Sequence, residues 1–233
     1  MSNNSSDNFA RITAIVSLIL AIIAISVPFF QQKSALQTQK EQFEELQKED
    51  LSVQLDPYVT GELRLTDIQL GPLGHVVQIP WKLTVSNIGN RQLSITEHLI
   101  TRGDSPTSMQ YTGIDGGFLD RKSRPVEFPV KLEPGESETY YVFVGITVSQ
   151  EIYDILASLN ASKQLTDRNA TKELGRKGID IYGNSVEYKE YENGKFTYFA
   201  TDKGKAQRFW LQLTTGRDNI FYATAMKYEP VNR

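Results

Sequence analysis

From Ile12 to Phe30 the chain reads ITAIVSLILAIIAISVPFF. Within this run only Thr13, Ser17 and Ser26 are polar, and no residue is charged. At about 1.5 Å per residue a helix of this length reaches roughly 28 Å, close to the hydrocarbon thickness of a bilayer. Backbone groups in lipid must pair among themselves, so the expected form is a single membrane-spanning helix over 12–30, preceded by a polar tail over 1–11. A soluble buried helix would need a polar face, which this segment lacks. A cleaved signal peptide is the rival reading, with Arg11 as a basic start and Ala24-Ile25-Ser26 as small residues at cleavage spacing. Apolar residues continue through Phe29 and Phe30 beyond that cut, which favours an uncut anchor, and the rival stays open. Orientation is set by a narrow margin. Arg11 and the α-amino group stand on one side and Lys33, Lys40 and Lys48 on the other, so the count leans slightly towards a cytoplasmic C-terminal domain.

The next segment, residues 31–51, has neither Gly nor Pro before the strand-like pattern begins and is rich in strong helix formers. It reads as a helical stalk. Leu36, Phe43 and Leu46 fall near heptad spacing, with Gln39 or Lys40 interrupting, so a parallel coiled coil and a solvated single helix both fit. The lipid bilayer is therefore the expected partner of 12–30, and homo-oligomerisation is the expected use of the stalk.

From residue 52 the apolar period changes to two. Trp81, Leu83 and Val85 alternate with Lys82, Thr84 and Ser86 as in a half-buried strand, Asn87-Ile88-Gly89-Asn90 is a turn, and Leu93 and Ile95 resume the alternation. Leu132-Glu133-Pro134-Gly135-Glu136 is a second tight turn, followed by Tyr140, Val142, Val144 and Ile146 on one strand face. Thr147-Val148-Ser149-Gln150 fits a capping box, and Ile152, Ile155, Leu156 and Leu159 then lie on one helical stripe. A short helix or loop is expected over 162–178. Hairpins follow across Asn193-Gly194 and across Gly216-Arg217-Asp218-Asn219. The expected fold is mainly β: a β-sandwich with an inserted amphipathic helix, one elaborated domain over 52–233 with a candidate sub-boundary near 162.

The segments Trp81-Lys-Leu-Thr-Val-Ser-Asn-Ile-Gly-Asn and Leu132-Glu-Pro-Gly-Glu-Ser-Glu-Thr-Tyr resemble the turns of immunoglobulin-like sandwiches of the CARDB type, over about residues 79–146. The layout also resembles prokaryotic membrane proteins with one N-terminal anchor and one β domain. Both motifs are turn chemistry, so the resemblance implies a fold and a noncatalytic adhesion, binding or spacer role. It transfers no site residue.

Chemistry is sparse. The chain has no cysteine and two histidines, His75 and His98, which removes thiol nucleophiles and leaves little for a transition-metal site. The sequence contains no phosphate-binding loop, dinucleotide fingerprint, G-x-S-x-G or H-E-x-x-H motif. Asp115 and Asp120 flank a glycine-containing loop without the donor series of an EF-hand. No enzyme activity, cofactor or metal is expected, and a net charge of −3 argues against a nucleic-acid binder.

That average covers a contrast: residues 52–161 carry a net −5 and residues 162–233 a net +4. Lys203, Lys205, Arg208 and Arg217 are the candidates for a basic face toward lipid headgroups or an acidic partner. Tyr188, Tyr191, Tyr198 and Trp210 are candidates for an exposed aromatic platform, against which stands ordinary cross-strand packing. The functional expectation is a membrane-tethered, noncatalytic interaction or scaffold module acting on another protein. The alternatives are an extracellular carbohydrate-binding module and an accessory subunit of a membrane enzyme.

Overall fold

The computed structural model describes residues 31–226 apart from 34, 44, 202 and 203. The polar tail, the apolar run 12–30 and Lys203 lie outside the described residues. No helix among the described residues is long and apolar enough to cross a membrane. The chain divides into two units, one ending at Lys48 and one beginning at Glu49.

The described part of the first unit is helix α1, helical at 31–33, 35–43 and 45–47. Gln37 Nε2 donates to Glu41 Oε1 at 3.0 Å, the i, i+4 contact its spacing allows. Leu36, Phe43 and Leu46 are 59%, 60% and 60% exposed.

The second unit is mainly β. Its strands are β1 (Leu51–Pro57), β2 (Arg64–Gln69), β3 (His75–Asn87), β4 (Leu93–Arg102), β5 (Asp115–Leu119), β6 (Val130–Leu132) and β7 (Ser137–Val148). Helices α2 (Gln150–Ala161) and α3 (Asp167–Arg176) follow, then β8 (Val186–Glu190), β9 (Phe196–Ala200), β10 (Phe209–Thr215) and β11 (Ile220–Ala225). All pairing is antiparallel. One sheet runs β1-β3-β7-β5, with β2 also on β3, and a second runs β11-β10-β4-β6. Among the described residues, β8 and β9 pair with each other as a separate two-stranded sheet.

The alternation read at Trp81–Val85 extends over the whole of β3, which pairs with β7 from His75↔Val148 to Ser86↔Ser137. The strands on either side of the Asn87–Asn90 turn do not pair with each other. β3 belongs to the first sheet and β4 to the second, so this turn carries the chain between sheets. The Leu132–Glu136 turn does the same between β6 and β7. Gly135 there has φ +77°, the left-handed value that the third position of such a turn needs after Pro134.

Asn87 joins the two crossings. It is 1% exposed. Its Nδ2 donates to Arg91 O at 2.8 Å and Leu132 O at 3.0 Å, and its Oδ1 accepts from Gly89 N at 3.1 Å. Its backbone pairs with Gly135 N and Glu136 O. The two turn motifs are thus parts of one hydrogen-bonded corner.

A single apolar core holds both sheets and the helices. Leu83, Val85, Val142, Val144 and Ile146 come from the first sheet, Ile95, Ile100, Phe209, Leu211 and Leu213 from the second, and Ile152, Leu156 and Leu174 from α2 and α3. Each such side chain contributes about 1.5–3 kcal/mol by leaving water. The stripe expected on α2 is present, with Ile152 and Leu156 fully buried and Ile155 and Leu159 packed against the core.

The capping box expected at Thr147 is corrected. Thr147 remains in β7, and the N-cap is Ser149, whose Oγ accepts from Ile152 N at 3.4 Å. The strand's pairing with β3 continues through Val148 and so displaces the cap by two residues.

β4 contains an irregularity that sequence alternation cannot show. β10 pairs Thr214↔Glu97 and then Thr215↔Ile95, leaving Thr96 as the extra residue of a bulge. Before it Leu93 and Ile95 point inward, and after it Ile100 does, while Leu99 is exposed. The switch of phase also turns His98 toward the first sheet.

Candidate functional site

A groove crosses the outer face of β3 and β7. It measures about 540 Å³ and is lined by Tyr58, Arg64, Pro80, Arg121, Tyr141 and Phe143 among others. This volume lies in the range of ligand clefts. Strand alternation explains the aromatic floor: Tyr140, Val142 and Val144 face the core, so Tyr141 and Phe143 face the other way.

One wall is the loop between β1 and β2. It is pinned to the run-in of α3 by Leu63 N→Leu165 O at 2.9 Å, Asp167 N→Gly61 O at 3.0 Å and Arg168 N→Val59 O at 3.0 Å. Residue 61 must be small: a Cβ there would stand 2.4 Å from the Tyr58 ring and 2.6 Å from Pro80. Tyr58 therefore lies beside Tyr141, with ring centroids 4.7 Å apart. The opposite wall is the loop after β5, carrying Arg121 and Ser123.

Arg64 is held in place. Its guanidinium sits 3.6 Å above the centroid of the Phe143 ring, and Nη1 donates to Gly116 O at 3.0 Å. Partial burial lowers its pKa from the usual value. The Tyr141 hydroxyl is raised, by burial first and by the neighbouring Tyr58 next. Neither Arg64 nor Arg121 is paired with a carboxylate among the described residues. Glu62 is the acidic residue on the lining. A guanidinium over an aromatic ring, with a second guanidinium on the facing wall, suits a carboxylate-bearing ligand with apolar side chains.

Of the basic residues proposed from sequence, Lys205, Arg208 and Arg217 are described. Lys205 is exposed, and its backbone and Nζ bond to Asn184 Oδ1 at 2.8 Å and Gly183 O at 2.9 Å, which ties it to a loop. Arg208 is half-buried beside Met226. Arg217 sits on the β10–β11 turn. Arg208 precedes β10 and Arg217 follows it, so the strand separates them by roughly 20 Å at about 3.3 Å per residue. Arg208 and Arg217 thus stand at opposite ends of β10.

The aromatic candidates are mostly packed. Tyr188 lies against Gly175 of α3, where a Cβ would come within 2.5 Å of its ring, and 5.5 Å from Phe196. Tyr198 is half-buried opposite Tyr188 in the β8–β9 register. Tyr191 is exposed, with Lys189 Nζ 5.4 Å from its ring centroid. Trp210 donates from Nε1 to Gly103 O at 3.0 Å and meets Tyr222 edge-on at 90°. A perpendicular pair offers no flat platform. The β8–β9 hairpin is anchored to α3 by Glu190, whose pKa is pulled down to about 2 by Lys172 and then Arg176.

Of the histidines and loop acids, His98 and Asp115 meet each other, while His75 and Asp120 have other partners. His75 stacks on Tyr153 at 4.3 Å, with Nε2 2.6 Å from Gln150 Oε1. His98 Nε2 lies 2.9 Å from Asp115 Oδ2, although the contact is not aligned as a straight hydrogen bond. Its ring is enclosed by Phe118 and Phe128. Burial acts to raise the Asp115 pKa, but His98 and the Gly117 N–H outweigh it, and the net direction is down. Asp120 is lowered by the Arg124 backbone N–H first and then by the Arg124 side chain, as the anchor of a turn. Among the described residues, no three His, Asp or Glu side chains form a group able to hold a metal ion.

No protein-family model matches this chain, and no curated protein matches it.

Sequence reasoning missed the groove. Its residues come from four separated segments, and the one available signal was the aromatic pair Tyr141 and Phe143 on the strand face opposite the core.

Proposed function

We propose that the chain is a membrane-tethered, noncatalytic binding module whose groove takes an acidic, extended segment of a protein partner. The observation that carries this reading is Arg64 held over the Phe143 ring, with Arg121 on the facing wall of the same groove, neither in a salt bridge among the described residues. Arg64 is already oriented by Phe143 and Gly116, so little side-chain entropy is lost on binding. In this reading 12–30 is the membrane anchor, α1 is a stalk and the second unit is an immunoglobulin-like β-sandwich of the CARDB type. The two inter-sheet turns joined through Asn87 support that fold reading. The exposed Leu36, Phe43 and Leu46 support self-association through the stalk. The lysine count supports a cytoplasmic domain, where an acidic protein segment is the partner rather than a glycan.

The test is a titration of the full chain in detergent with a fluorescent poly(Glu,Tyr) copolymer, with poly(Lys,Tyr) as the opposite-charge control. Saturable binding to the first alone is expected. Combined Arg64→Gln and Arg121→Gln should weaken it about tenfold, from roughly 1 kcal/mol or less per exposed charge pair. Equal binding of both copolymers, or no effect of the double variant, overturns the reading.

A further inference from the structure

Arg217 belongs to a second, separate cleft. This opening of about 210 Å³ is lined by Arg91, Lys131 and Arg217 together with Glu49, Ser94 and Gly216. Three segments bring the cations together: the turn after β3, strand β6, and the β10–β11 turn. The assembly is fixed by the backbone, since Ser94 pairs with Lys131 across β4 and β6 and Gly216 N donates to Ser94 O at 2.8 Å.

Glu49 is the one acid on the lining, and it is turned inward. It is 8% exposed, and its Oε2 accepts from the Thr215 hydroxyl and from Asn219 Nδ2 at 3.0 Å. Neutral donors therefore solvate this carboxylate and hold it back from the mouth. Arg91 Nε is buried and has no hydrogen-bond partner. Two guanidiniums and an ammonium on one lining, with Glu49 engaged by Thr215 and Asn219, match the several oxygens of a phosphate group better than the single plane of a carboxylate.

The location chooses the source of that phosphate. The chain joins the second unit at Glu49, so the cleft stands at the end where the tether attaches. Only 18 residues separate Phe30 from Glu49, so a short tether joins the cleft's own lining to the anchor segment. We propose that Arg91, Lys131 and Arg217 form a site for the phosphate of anionic lipid headgroups, docking the base of the domain onto the bilayer that holds its anchor. This rests on the reading of 12–30 as a membrane span. It is independent of the groove, which lies on the outer face of the other sheet.

The experiment uses the full chain in nanodiscs. Because the chain has no cysteine, Asn90→Cys gives one labelling position beside the cleft. Energy transfer to a headgroup acceptor is compared in phosphatidylcholine discs with and without phosphatidylglycerol. Higher transfer with phosphatidylglycerol is expected, and it should fade at high salt. Arg91→Gln, Lys131→Gln and Arg217→Gln should each lower the near-to-far population ratio roughly fivefold, with circular dichroism and melting unchanged. Equal transfer in both discs, or no change in the three variants, overturns the proposal. Inorganic phosphate is titrated in parallel by phosphorus NMR. Saturable phosphate binding without headgroup dependence makes the cleft a soluble-phosphate site and overturns the lipid assignment. Co-elution with the discs is read first: a chain that fails to co-elute overturns the anchor, and the lipid site with it, rather than the cleft chemistry.

Discussion

Asn87→Ala should be among the most damaging single substitutions in the second unit that leave the apolar core untouched. The side chain makes two bonds to carbonyls and accepts one from Gly89 N, all in a position 1% exposed. A hydrogen bond contributes about 1 kcal/mol net, and a buried partner left unmet costs about 1–3 kcal/mol. Losing the contacts to Arg91 and Leu132 and the Gly89 turn bond sums to about 3 kcal/mol. For a domain of this size that lowers the melting temperature by roughly 6–12 °C. Asn90 sits three residues further on, exposed, in the same motif. Asn90→Ala should stay within about 0.5 kcal/mol of wild type. Asn87→Asp separates the two roles: it keeps the acceptor for Gly89 but faces two carbonyls with a charge, so it should melt no higher than Asn87→Ala. Thermal melts of the full chain in detergent, followed by circular dichroism, make the comparison. An Asn87→Ala melt indistinguishable from that of Asn90→Ala would refute the corner as a structural strut.

Three further outcomes follow from named contacts. The folded-state pKa of Asp115 is lowered, so its contribution is complete above the unfolded value near 3.9 and is lost as the pH falls through the folded one. The urea midpoint of wild type should therefore exceed that of Asp115→Asn at about pH 5, and the difference should shrink as the pH falls below about 4. The gap should be under about 1 kcal/mol, because the side chain is 42% exposed, and a gap that widens on acidification contradicts the pairing with His98. Gly145→Ala should prevent folding or cost several kcal/mol, since its Cβ would stand 2.1 Å from Gly113 O, whereas Gly135→Ala meets open space and should cost about 1 kcal/mol of backbone strain. Equal urea midpoints for the two glycine variants would contradict that difference. Replacing Leu36, Phe43 and Leu46 together by Gln should turn an associated chain into a monomer by light scattering, and a wild-type chain that is already monomeric removes the stalk as an interface.

The parts of the fold legible in the sequence are those with local causes. Period-two alternation marks β3 and β7, the 152–155–156–159 stripe marks α2, and Asn193-Gly194 marks the β8–β9 hairpin. What the sequence left hidden is nonlocal. β10 pairs with β4 across more than a hundred residues, and no periodicity encodes a partner. The bulge at Thr96 reverses the inward phase of β4, so a face read from Leu93 and Ile95 misplaces His98. The Asn87 and Leu132 motifs read as separate turns and are one corner. The candidate sites show the same limit. Lys205 and Arg208 precede β10 and Arg217 follows it, whereas Arg217 shares one cleft with Arg91 and Lys131 from distant segments. Arg64 and Arg121 are unremarkable alone and come to line one groove when segments on two sides of β3 and β7 face each other.

The tether is the part of the proposed function on which its place in the cell depends. Alkaline carbonate extraction of membranes from cells expressing the full chain, beside the same chain started at Gln31, tests it most directly. The full chain is expected to remain in the membrane pellet and the shortened chain to appear in the supernatant. A full chain released by carbonate, or cut near Ser26 and recovered as soluble protein, would contradict a module held at the bilayer by residues 12–30.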